Sequence, residues 1–174
     1  MWLLLSLLSV GFTAPAQEPA LPDAQSMLIS LGDTIAVAVY NEADLTVKVR
    51  VDNTGKVNFP LIGAIKVLGL SPKELASKLE DRYLDGFLVE PLVTVTIEKY
   101  RPFYIHGEVK SPGVYEFTQD LSVNQAIAIA GGLSERASSS NWFVARGSEK
   151  EPFKANALTR VLPGDIITIK ASFF

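Results

Sequence analysis

The 174-residue sequence predicts an α+β protein of two small domains. Three observations predict it. Apolar residues alternate with polar ones in several segments, as Val47, Val49 and Val51 do among Thr46, Lys48 and Arg50, which is the two-residue period of strands. Two capping boxes, Ser71–Glu74 and Ser122–Gln125, each open a single helical segment. The chain also reads as two successive phrases, each closing on an apolar strand. One runs from Leu31-Gly32-Asp33 to Ile97, the other from Tyr104 to Ile169.

Composition sets the bounds. Hydrophobic residues make up 48% and charged residues 20%, the balance of a globular protein. Modules of about 70 residues are marginally stable alone, so they gain from packing on each other or on further copies. The net charge is −3 with no Lys/Arg block, which gives nucleic-acid binding no electrostatic basis. The chain has no cysteine, which excludes disulfides, thiolate metal sites and cysteine nucleophiles.

Residues 1–16 read as a secretion signal. Residues 2–12 are almost wholly apolar, and Ala14-Pro15-Ala16 supplies small residues for cleavage before Gln17. The run falls short of the roughly 20 apolar residues that span a bilayer. No Lys or Arg precedes it, so only the amino terminus is positive. Residues 17–26, with two prolines and no periodicity, are a leader.

The first domain is expected over 27–99. Residues 34–40 form a β-rich strand after the Gly32-Asp33 turn. Residues 46–51 form a half-buried strand. Asp52-Asn53-Thr54-Gly55 is expected to be a hairpin turn that brings 56–59 back alongside it, with Pro60 ending the ladder. Ser71 caps a helix with Pro72 in its first turn, and Leu75, Leu79 and Tyr83 line one stripe. Gly86 closes the helix, and residues 92–98 form the last strand.

The second domain is expected over 100–174. Strands at 103–109 and 114–117 flank the Lys110-Ser111-Pro112-Gly113 turn. Ser122 opens a short helix that turns Ala126, Ile127, Ile129 and Ala130 inward, and Gly131-Gly132 stops it. Residues 141–146 and 165–170 read as strands, the latter entered through Pro163-Gly164. Hairpin, helix and further strands in this order make a β-grasp fold, with the helix across one sheet face.

Catalysis finds little material. The single histidine, His106, lacks metal-ligand partners at useful spacing and reads as a structural or surface residue. Glu42 with Asp44, and Glu80 with Asp81, read as solvated carboxylates rather than an acid pair, and Glu108 as a local charge partner of Lys110. Gly131-Gly132 has no Lys-Ser/Thr after it and reads as a helix cap rather than a phosphate loop. No catalytic, cofactor or metal residues are assigned. The candidate contacts are Tyr100, Arg101 and Tyr104, an aromatic and cationic cluster at the junction, and Trp142 beside Phe143. The first three suit either an interdomain seam or stacking on acidic sugars. Adjacent strand residues face opposite ways, so either Trp142 or Phe143 points away from its core.

Taken together, these residues resemble the outer-membrane polysaccharide export (Wza-like) family. The resemblance rests on Leu31-Gly32-Asp33, Val39-Tyr40, Asp44-Leu45, the Asp52–Gly55 turn before Phe59-Pro60-Leu61-Ile62-Gly63, Gly69-Leu70-Ser71 with Glu74-Leu75, and Pro91, Val93, Val95 and Tyr100. In the second domain, Gly107-Glu108-Val109, Pro112-Gly113, Ala130-Gly131-Gly132 and Pro163-Gly164-Asp165-Ile166 resemble the soluble-ligand-binding β-grasp (SLBB) repeat. The resemblance implies a non-enzymatic periplasmic component of a polysaccharide export machine, forming a homo-oligomeric ring. It also implies an inner-membrane co-polymerase beneath, often a tyrosine autokinase. Members that cross the outer membrane carry a lipoprotein cysteine, further repeats and a terminal helix. This sequence shows one repeat and no cysteine, so a separate outer-membrane β-barrel porin is expected to supply the pore. The alternatives are a monomeric β-grasp module that binds a saccharide or metabolite to regulate secretion, and a polysaccharide-cleaving enzyme.

Overall fold

The computed structural model describes residues 28–147 and 149–172. The secretion signal and leader expected over 1–26 lie outside the described residues. The first domain contains β1 (Thr34–Val39), β2 (Glu42–Arg50), β3 (Lys56–Phe59), β4 (Gly63–Lys66), α1 (Pro72–Leu84) and β5 (Val93–Lys99). The second contains β6 (Phe103–Gly107), β7 (Gly113–Tyr115), α2 (Val123–Ile129), β8 (Ala137–Arg146), β9 (Glu149–Ala155) and β10 (Ile166–Ala171). Strands with one helix in each of two domains make the chain α+β.

In the first domain β1 lies between β2 and β5, antiparallel to both. Ile35, Val37 and Val39 of β1 point to the core, and α1 covers them with Leu75, Leu79 and Tyr83, all fully buried. The i, i+4, i+8 spacing makes that stripe. Ser71 Oγ accepts the Glu74 N–H, and the Glu74 carboxylate accepts the Ser71 N–H at 2.8 Å, closing the capping box. Glu80 is half-buried rather than solvated. Its carboxylate accepts the Val93 N–H at 2.9 Å and ties α1 to β5.

One pairing differs from the sequence expectation. The 52–55 turn does not fold β3 onto β2. β3 instead pairs with β4 across the Pro60–Ile62 turn, as a separate two-stranded sheet. The Asp52 carboxylate accepts both the N–H and the hydroxyl of Thr54, and the Gly55 carbonyl accepts the N–H groups of Val67 and Leu68. The turn is therefore spent on the segment after β4, and Val51 pairs back to Asp33 instead.

The second domain has a five-stranded sheet in the order β7-β6-β10-β8-β9, with β6 and β10 parallel at its middle. Phe103, Ile105, Trp142, Val144, Ile167 and Ile169 form the inner face beneath Val123, Ala126, Ile127 and Ala130 of the α2 segment. Ile129 is 50% exposed, contrary to expectation. It lies about 200° around the helix from Ile127, so both cannot face the sheet. The Gly132 N–H bonds the Ile127 carbonyl at 2.9 Å, which confirms the glycine pair as the helix stop. Two strands escaped the sequence reading. β4 is four residues long, and β9 is a charged edge strand that contains Pro152. β8 also begins earlier than expected, at Ala137.

The two caps differ in charge, and this yields a test. Ser122→Ala should cost about 1 kcal/mol at neutral and acid pH alike, because its partner Gln125 does not titrate. At Ser71, hydrogen bonds from the Ser71 N–H and hydroxyl hold the Glu74 carboxyl below its usual value of 4.5. That contribution is present above 4.5 and is lost as pH falls through the lowered value. The destabilisation by Ser71→Ala in urea titrations should therefore shrink toward pH 3, whereas that of Ser122→Ala should not.

Candidate functional site

Two turns of the same design meet the link between the domains. In the first, Ser30-Leu31-Gly32-Asp33, the Asp33 N–H bonds the Ser30 carbonyl at 3.2 Å and the Asp33 carboxylate accepts the Ser30 N–H at 2.8 Å. In the second, Leu162-Pro163-Gly164-Asp165, the matching distances are 3.1 and 2.8 Å. Gly32 and Gly164 take φ of +87° and +85°, a conformation that costs other residues a steric penalty. Both aspartates are 0% exposed.

A buried carboxylate needs compensation, and each has an arginine. Asp33 accepts the Arg101 N–H at 2.7 Å, and the Arg101 guanidinium lies 3.6 Å from the same oxygen. Asp165 takes a fork from Arg146, Nε at 3.0 Å and Nη2 at 2.9 Å. Burial pushes the Asp33 carboxyl above its ordinary 3.8, against the opposing pull of the Arg101 and Ser30 donors. A raised value means that the folded state holds the proton more tightly. Stability from this group thus falls as pH rises above 3.8, the reverse of the Glu74 dependence.

Arg101 is the joint. Its side chain lies between the two glycines. A Cβ added to Gly32 would sit 3.4 Å from the Arg101 Cβ, and one added to Gly164 would sit 2.6 Å from its Nε. The Gly164 N–H also bonds the Pro102 carbonyl at 3.1 Å. Residues 101–102 are thus clamped between the first turn of one domain and the last turn of the other. A cleft of about 280 Å³ opens beside the clamp, lined in part by Arg101, Arg146, Gly69 and Leu162. Both of its guanidinium groups are already engaged by the buried carboxylates.

The other sequence-predicted contacts separate. Tyr100 stacks edge-on against Phe117, with centroids 5.5 Å apart at 81°, and packs the seam. Tyr104 lies on the outer face of the second sheet and is 42% exposed. Its register neighbours there are Val114 of β7 and Ile166 of β10, themselves 60% and 41% exposed. Trp142 is the inward member of its pair. It is buried in the second core, with Nε1–H bonded to the Ser138 carbonyl at 2.7 Å, and it offers no surface, while Phe143 faces out half-buried. His106 shares the outer face, with Nε2 3.0 Å from the Thr168 hydroxyl. Glu108 pairs with Arg136 at 3.5 Å and accepts the Ser134 hydroxyl, in place of the expected Lys110. The sequence reading missed Asp33 and Asp165 as the seam's anchors. The repeated Gly-Asp ahead of an apolar strand was the available signal. Among the described residues, no three His, Cys, Asp or Glu side chains converge to hold a metal ion.

Residues 21–98 match the family described as polysaccharide biosynthesis/export protein, and residues 102–154 match the SLBB domain. Three curated relatives share this region. The chain is 32% identical over 82 residues to the exopolysaccharide production protein ExoF of Rhizobium meliloti, covering 46% of this chain and 20% of that one. It is 31% identical over 108 residues to the EPS I polysaccharide export outer membrane protein EpsA of Ralstonia nicotianae, covering 60% and 28%. It is 27% identical over 124 residues to the polysialic acid transport protein KpsD of Escherichia coli, covering 70% and 22%. The chain thus spans less than a third of the length of each.

The clamp makes two predictions. Asp33→Ala leaves the Ser30 and Arg101 donors without an acceptor and should destabilise the protein by about 3 kcal/mol, read by urea unfolding. Gly164→Ala should push Arg101 out of the joint. Tryptic cleavage after Lys99 should then accelerate, while Trp142 fluorescence stays that of a folded second domain.

Proposed function

This chain belongs to the polysaccharide biosynthesis/export family, and on that premise we propose that it is a non-enzymatic building block of an export conduit. In this reading, copies associate side to side in the periplasm into a ring. Polymer delivered by an inner-membrane co-polymerase passes through toward an outer-membrane pore supplied by a separate β-barrel. The energy comes from the upstream machinery.

One observation carries the reading. The outer face of the second sheet bears an uncovered apolar row, Val114–Tyr104–Ile166, aligned by register across three strands. α2 packs on the opposite face, and among the described residues Val114, Tyr104 and Ile166 stay exposed on this one. An exposed apolar row on a rigid sheet favours a subunit contact. The clamp supports the same reading, because the buried Asp33 carboxylate ties the first domain to Arg101 of the link. The buried carboxylates are committed to turns and arginines, which favours architecture over acid–base chemistry. A monomeric saccharide-binding module is the second reading, favoured by the Tyr104 ring beside the His106–Thr168 pair.

Sedimentation of the mature protein at high concentration should show association. Tyr104→Asp and Ile166→Asp should each return it to monomer, with Trp142 fluorescence unchanged. A strict monomer even with its co-polymerase present argues against the ring. Saturable oligosaccharide binding by that monomer selects the second reading.

A further inference from the structure

The end of the first domain farthest from the clamp carries a second apolar exposure. β1 leaves the clamp at Thr34, beside Lys99, and reaches the far end at Val39, beside Val93. There the Tyr40 N–H bonds the Leu92 carbonyl at 2.9 Å, which sets those two residues side by side. α1 ends at the same place, because Glu80 near its C-terminus holds the Val93 N–H. The loop from 85 to 92 then crosses from the helix layer to the sheet. Along this route Tyr40, Leu84, Phe87, Val89 and Leu92 are all exposed, Tyr40 by 69% and Val89 by 90%. The loop holds its shape through the Phe87 and Leu88 N–H groups, both bonded to the Tyr83 carbonyl, and Tyr83 itself is buried. Presenting five large apolar side chains on an ordered end is costly in water unless something covers them.

The charges around this ridge narrow the occupant. Among the described residues, Glu42, Asp44, Asp81, Asp85 and Glu90 are exposed toward this end, against Arg82 and, one helical turn back, Lys78, whose ammonium bonds the Lys66 carbonyl. An acidic rim repels anionic phospholipid headgroups and attracts Lys and Arg. A second copy of this chain would bring the same acidic rim against itself. We propose that this end docks a partner protein through a segment that is apolar on one face and basic along its edges, as a cationic amphipathic helix is. The ridge takes the apolar face and the five carboxylates take the cations. The inference stands on this surface alone and does not depend on the ring.

The test uses the mature chain and synthetic probes: a Leu/Lys amphipathic peptide of about 14 residues, the same peptide with Glu in place of Lys, and phosphatidylglycerol vesicles. Anisotropy titration should show saturable binding of the Lys peptide, weakened about tenfold or more by Val89→Asp. Phe87→Ser should act likewise and guards against a variant that misfolds, with far-UV melting to show that both fold. Paired Asp85→Lys and Glu90→Lys replacements should shift preference toward the Glu peptide. Tyr104→Asp, on the other domain, should leave peptide binding as it is. Equal binding of the two peptides, binding insensitive to Val89→Asp and Phe87→Ser, vesicle binding abolished by Val89→Asp, or loss of self-association in that variant would each overturn the proposal. A ring that fails to form while the Lys peptide still binds would remove the conduit reading and leave this one standing.

Discussion

The fold depends on two carboxylates held out of water. Burying a charged group is expensive, and an aspartate survives it only where donors surround it. Asp33 and Asp165 solve the problem in the same way. Each reaches back three residues to an amide, which closes the turn, and each then faces an arginine. Their difference lies in where the arginine comes from. Arg146 belongs to the same domain as Asp165, so that pair fastens β8 to the start of β10. Arg101 belongs to the link, so the Asp33 pair crosses from one domain toward the other. One turn design thus organises a domain in one case and joins two in the other.

The two cores lie on either side of this joint and, among the described residues, share no buried side chain. The first draws on residues from Ile29 to Val93, and the second on residues from Phe103 to Ile169. Each domain therefore has its own hydrophobic driving force, while their relative placement rests mostly on polar contacts around Arg101. Uncovered apolar surface occurs on both, at the outer sheet face of one and the far end of the other.

Much of this architecture was legible because local chemistry spoke directly. Both capping boxes formed as read, and Leu75, Leu79 and Tyr83 are buried at their helical spacing. The alternation at 46–51 is strand up to Arg50, and that at 93–97 is strand throughout. The failures have physical causes. Asp52–Gly55 has the composition of a hairpin turn, yet composition does not say which strand comes back. The Gly55 carbonyl was claimed by Val67 and Leu68, and β3 found β4. β9 was invisible because edge strands carry charges and proline against unwanted pairing, and so lose the apolar alternation that marks buried ones. Ile129 was placed inward by hydrophobicity alone, without the helical angle. At the candidate site, the sequence located Arg101 at the junction but not its partner, because a contact between residues 33 and 101 leaves no trace in spacing. Trp142 and Phe143 were correctly opposed, and only packing decides which of them turns inward.

The glycines that enclose Arg101 also set a tolerance. A side chain at Gly164 would crowd Arg101, and wherever the lobes yield to it they tilt against each other. In a single copy such a tilt would be harmless. In the ring proposed above, the error would recur at every step and sum around the circumference, until the last copy no longer met the first. A lone missing methyl group would then govern whether the circle shuts or winds into an open spiral.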